Sequence, residues 1–130
     1  LPPGLCVEVA DGDGLLAAAM GQLDDGADFV KLYLDGPDRE TSPFTVDDVR
    51  AVVDAAHARQ ARVTAHSGLL AGARVGAEAG VDSLEHGFQL DADVARTMAT
   101  NGVALVSTLA VLESWRSFAT TTRLPRPSHE

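Results

Sequence analysis

Three short stretches hold residue types that do chemistry. Residues 63–68 read VTAHSG and residues 83–88 read SLEHGF, each with a histidine directly after a short apolar run. A third run, DFVKLYLDG at 28–36, carries Lys31 in its middle. Imidazole is a common metal ligand and suits zinc, copper, iron and nickel. Lys31 is the sharpest departure from type. Flanked by Phe29, Val30, Leu32 and Leu34, it is expected to be largely buried, where an unpaired ammonium is costly. It must find an acid such as Glu85 or Asp82, lose its proton, or be modified. Burial lowers a lysine pKa, and a neutral amine reacts with carbon dioxide to give a carbamate, a carboxylate on a long stem. Each signal is weak alone, because a strand-end histidine is commonly structural and a strand lysine commonly pairs with an acid. Together, on consecutive strands, Lys31, His66 and His86 form a candidate metal set.

The elements that must position them recur as helix, stop, strand. Residues 13–26, DGLLAAAMGQLDDG, space Leu15, Leu16, Ala19, Met20 and Leu23 like a helix face, with Gly26 placed to take the left-handed position after it. ADFVKLYL then reads as a strand. TVDDVRAVVDAAHARQ opens on Thr45 as N-cap with Asp48 three residues on, a variant of the capping box, and is followed by the strand ARVTAH. LLAGARVGAEAG is a small-residue helix stopped at Gly80, followed by VDSLEH. DADVARTMATNG has Asp91 as N-cap and Gly102 as stop, followed by the strand VALVSTL. AVLESWRSFATTTR spaces Val111, Leu112, Trp115 and Phe118 like a helix face, which its threonines weaken. Strands alternating with helices predict an α/β fold with about four parallel strands. A doubly wound sheet is open to such a chain; a complete eight-stranded barrel needs roughly 250 residues. In either case ligands bind at the C-terminal ends of the strands, where His66 and His86 stand.

Composition narrows the class. The chain has 130 residues, 45% of them hydrophobic, enough for a sizeable core. A net charge of −9 without a Lys/Arg cluster argues against nucleic acid as a partner. No apolar run is long enough to span a bilayer, so no membrane partner is expected, and a cytoplasmic location is slightly favoured. The single cysteine, Cys6, excludes an internal disulfide framework. Leu1-Pro2-Pro3 at one end and RLPRPSHE at the other read as the ends of an excerpt from a longer protein.

The stretches GADFVKLYLDG, FTVDDVRAVVDAAHARQARVTAHSG, AGVDSLEHGFQLD and NGVALVSTL together resemble the amidohydrolase superfamily, in its imidazolonepropionase-like and prolidase-like branch, over roughly residues 24–110. The resemblance implies a partial (β/α)8 TIM barrel, with residues 1–130 the central part of a metal-dependent barrel domain. Lys31 then resembles the family's fourth-strand lysine, carboxylated and bridging two metals in many members; His66 resembles the fifth-strand ligand and His86 the sixth-strand ligand. The implied cofactor is a divalent metal, zinc first, with one or two ions per site. The implied substrate is a small amide, peptide or cyclic amide, its C–N bond attacked by a metal-activated water. The family's first-strand His-x-His pair has no match here, nor does the eighth-strand aspartate that accepts the water's proton, and Ser107 stands where many relatives have proline. The catalytic aspartate is therefore expected outside this chain, and the chain alone is expected to be inactive.

Tyr33 shares the inward face with Lys31 and is a candidate substrate contact or simply a barrel-lining aromatic. His57 reads as structural and His129 as a solvated tail residue. Glu85 is expected to point away from the face of His86, and Asp35, Asp38 and Asp91 to be solvated groups or helix caps. Two other readings stand beside the hydrolase: a self-contained, non-catalytic α/β domain that binds a small ligand or partner protein, and a barrel lyase using Lys31 as a Schiff-base amine. Four barrel strands leave two open edges and an uncovered inner face, so marginal stability or self-association through those edges is expected of the isolated chain.

Overall fold

Alternating apolar residues become four parallel strands in the computed structural model, which describes residues 6–118. They are β1 (Phe29–Tyr33), β2 (Arg62–Ser67), β3 (Ser83–His86) and β4 (Ala104–Val106). The strands pair in chain order, β1-β2-β3-β4, with Val30 level with Val63, Ala65 with Leu84, and Leu84 with Leu105. Between and around them run α1 (Gly12–Asp24), α2 (Val46–Ala58), α3 (Leu70–Ala79), α4 (Ala92–Asn101) and α5 (Leu109–Phe118). None of the described helices is long and apolar enough to cross a membrane. The terminal segments 1–5 and 119–130, with His129 and the threonine run, lie outside the described residues.

Local chemistry sets the helix ends. Asp11 accepts from the Gly14 N–H, Thr45 and Asp48 close a reciprocal capping box, and Asp91 accepts from the Val94 N–H. Gly80 and Gly102 end α3 and α4 in the left-handed conformation. The expected strand 103–109 is shorter than its apolar run: it stops at Val106, Thr108 turns to φ 48°, and Leu109 already belongs to α5.

Val30, Leu32, Val63, Ala65 and Leu84 project to one face of the sheet and are buried with Val49, Val52 and Ala56 of α2, Ala73 and Ala77 of α3, and Val94 of α4. Helices α1 to α4 pack each on the next. A doubly wound sheet reverses its strand order and carries helices on both faces. Among the described residues the order never reverses and the opposite face stays open, so the fold is a partial (β/α)8 barrel. Close approach of α3 depends on its glycines. A Cβ on Gly72 would sit 2.5 Å from the Leu34 carbonyl oxygen, and one on Gly76 would sit 2.8 Å from Leu84 Cδ2.

Candidate active site

Strand alternation puts Phe29, Lys31 and Tyr33 of β1, and Thr64 and His66 of β2, on the face away from the helices. That placement overturns one expectation. Lys31 is not buried: its side chain is 41% exposed, because the apolar residues beside it in sequence, Val30 and Leu32, serve the other face. Its ammonium forms an ion pair with Glu85, reaching across β2.

Glu85 also departs from expectation. It lies on the same face as His86, not the opposite one. Leu84 is buried against the helices, so Glu85 points inward and alternation would send His86 outward again. Instead His86 takes φ 75°, a left-handed conformation rare for a residue with a side chain. The turn brings its ring against His66, edge-on, with centroids 4.4 Å apart. His86 Nδ1 lies 2.6 Å from Thr108 Oγ1, and Phe88 flanks the ring at 5.4 Å.

His66 sits at the centre. Tyr33, its register partner on β1, stacks on it with centroids 4.1 Å apart and planes 11° apart. Burial, then the neighbouring charges of His86 and Lys31, hold the His66 imidazole below its ordinary pKa, against the opposing pull of Asp35 and Glu85. A neutral imidazole at neutral pH is the form that can ligate a metal.

Asp35 also departs from expectation. It is neither a solvated loop acid nor a helix cap; its side chain is only 11% exposed. It accepts from Ser67 Oγ at 2.7 Å, from the Gly68 N–H at 2.8 Å and from the Leu69 N–H at 3.3 Å, and its Oδ2 lies 3.4 Å from His66 Nε2. A fixed carboxylate therefore stands behind His66 and favours positive charge on that ring, against the effect of burial. The one sequence signal was its position, directly past the end of β1 and before a glycine. Asp38 and Asp91 do serve as local hydrogen-bond acceptors, the first for Glu40 and Thr41, the second as the α4 cap. His57 bridges α2 to Asp82 at 2.9 Å, a structural contact.

The donor set fits a metal in part. Two imidazoles converge on one open face, while among the described residues no group of three or more His, Cys, Asp or Glu side chains is arranged to hold an ion. Lys31, on the same face, is the remaining donor position, and as an amine paired to Glu85 it contributes no ligand atom.

No family model matches the chain. An uncharacterized protein of Mycobacterium tuberculosis (strain ATCC 25618 / H37Rv) is 41% identical over 127 residues, covering 89% of this chain and 32% of that protein. Among solved structures, a Xaa-Pro dipeptidase with methionine bound in its active site aligns with a TM-score of 0.78 and 29% identity, over 90% of this chain and 30% of its own. An amidohydrolase aligns with a TM-score of 0.74 and 30% identity, over 96% of this chain and 33% of its own. The chain thus spans about a third of the length of the proteins it matches.

Proposed function

Because this chain belongs to the amidohydrolase superfamily, on its prolidase-like side, we propose that it supplies the middle of a metal-dependent barrel domain that hydrolyses the C–N bond of a small amide, peptide or cyclic amide. The carrying observation is the pair His66 and His86, brought edge to face from neighbouring strand ends by a left-handed turn at His86. In this reading the two imidazoles hold a divalent metal, zinc first, as one or two ions. Lys31 adds oxygen ligands once its amine combines with carbon dioxide to form a carbamate and release a proton. The metal's contribution, when bound, is Lewis-acid polarisation of the scissile carbonyl and a lowered pKa for water.

The chain's own residues do the rest of the positioning. Tyr33 holds the His66 ring flat against β1 and presents its exposed aromatic edge where a substrate side chain would lie. Asp35, fixed by three donors, sets the charge behind His66. Glu85 neutralises Lys31 until the lysine is modified. The acceptor of the water's proton belongs to a part of the barrel beyond this chain.

Metal analysis and turnover test the reading together. The intact protein is expected to carry one or two equivalents of a divalent metal and to hydrolyse Xaa-Pro dipeptides or cyclic amides. His66→Ala and His86→Ala should each lose most of both. Metal-free protein whose turnover survives His66→Ala would sink it.

A further inference from the structure

Three described residues other than glycine have positive φ: Gln60, His86 and Thr108. Gln60 follows the end of α2, where a left-handed residue commonly ends a helix. The other two have no such explanation, and they are hydrogen-bonded to each other, His86 Nδ1 to Thr108 Oγ1 at 2.6 Å. The last paired rung between their strands is Glu85 with Val106, so both residues stand just past the pairing of β3 with β4. A threonine is β-branched and resists the left-handed region more than most residues. Strain of this kind at both ends of one short hydrogen bond persists only where the surroundings impose it, and it gathers at functional sites.

We infer that Thr108 is a positioning residue for His86: its hydroxyl accepts the Nδ1–H, which fixes the tautomer and leaves Nε2 as the ring nitrogen with a free lone pair facing the site. A histidine that ligates through one nitrogen is ordinarily held through the other, and removing such a partner typically weakens metal binding about 10–100-fold. The backbone of Thr108 has a separate duty, since its carbonyl accepts from the Val111 N–H at the start of α5. The hydroxyl can therefore be removed without removing the turn. The inference rests on the proposed role of His86 as a metal ligand and adds the residue that orients it.

The test uses the intact protein with Thr108→Val, Thr108→Ser and His86→Ala. Valine keeps the β-branch and removes the hydroxyl; serine keeps the hydroxyl. Nitrogen-15 NMR of labelled histidines in the metal-free protein reads the tautomer, and competition with a chromophoric chelator reads Zn²⁺ affinity. Wild type and Thr108→Ser are expected to show His86 protonated at Nδ1, with Zn²⁺ affinities within about twofold of each other. Thr108→Val is expected to lose the Nδ1–H preference and to bind Zn²⁺ at least about tenfold more weakly. A wild-type His86 protonated at Nε2 overturns the inference without any variant. So does Thr108→Val with wild-type affinity, or Thr108→Ser as weak as Thr108→Val, since serine keeps the hydroxyl. If His86→Ala binds Zn²⁺ as tightly as wild type, the metal reading of His86 fails and this inference with it. If His86→Ala loses Zn²⁺ and Thr108→Val does not, only the role of Thr108 fails.

Discussion

The two faces of the sheet are built from alternate residues of the same strands and differ in nearly every property. Toward the helices stand Val30, Leu32, Val63, Ala65 and Leu84, all buried. On the other side stand Phe29, Lys31, Tyr33, Thr64, His66 and Glu85, none of them fully buried. The first face supplies the apolar contact that holds the strands to α1–α4. The second is free of that duty and can hold charges and imidazoles a few ångströms apart. Fold and chemistry are thus written into one strand at period two, so a change on the inner face alters the site with little effect on the core.

Mutation of one residue from each face tests the contrast most directly. Leu84→Ala should cost about 2–5 kcal/mol, because the side chain is fully buried and α3 packs on it through Gly76. Phe29→Ala, at 53% exposure, should stay within about 0.5 kcal/mol in the 130-residue chain. Urea unfolding of the two variants beside wild type gives both numbers. A large cost for Phe29→Ala would mean that the inner face is covered in solution, as self-association through the open side would do.

The next effect lies where the faces meet. Ser67 is fully buried on the helix side, yet its hydroxyl donates to Asp35, the carboxylate behind His66. Ser67→Ala removes one of three donors from a carboxylate with little access to water. It should destabilise the chain by about 1–3 kcal/mol and loosen His66 as well. Thermal melting reads the first effect, and the chemical shifts of the His66 ring read the second. A variant with wild-type melting and unchanged His66 shifts would show that the two backbone N–H donors suffice.

What the sequence made legible follows the same division. Caps at Thr45, Asp91, Gly80 and Gly102 could be read because each depends on residues within one turn. The assignment of Phe29, Lys31 and Tyr33 to one face could be read because alternation is local too. Burial of Lys31 was misread, since its apolar neighbours in the chain belong to the opposite face. The direction of His86 was hidden because φ 75° is not encoded by residue type, and without it Glu85 and His86 would face apart. Asp35 was missed because its donors, Ser67, Gly68 and Leu69, lie 32 to 34 residues away and meet it only once β1 and β2 pair.

The smallest expected effect tests a contact remote from the C-terminal strand ends. Asp82, just before β3, accepts from the Val63 N–H at 2.7 Å and faces His57 Nε2 at 2.9 Å. Burial pulls its pKa up, but the hydrogen bonds from His57 and Val63, with the charges of His57 and Arg62, outweigh burial and hold it below the ordinary carboxylate value. A carboxyl depressed in the folded state stabilises the fold above its unfolded pKa of about 3.9, and that contribution fades as pH falls through the folded value. Asp82→Asn keeps an acceptor for Val63 and removes the titration. Because the pair is partly exposed, the difference between wild type and Asp82→Asn at pH 7 should be no more than about 1 kcal/mol. It should shrink as pH drops below about 4. Asp48, also held low by its Thr45 hydrogen bonds, titrates in both proteins and cancels from the comparison. Melting temperatures of the two proteins from pH 7 to pH 3 give the curve, and a gap that widens toward acid would reverse the sign assigned to Asp82.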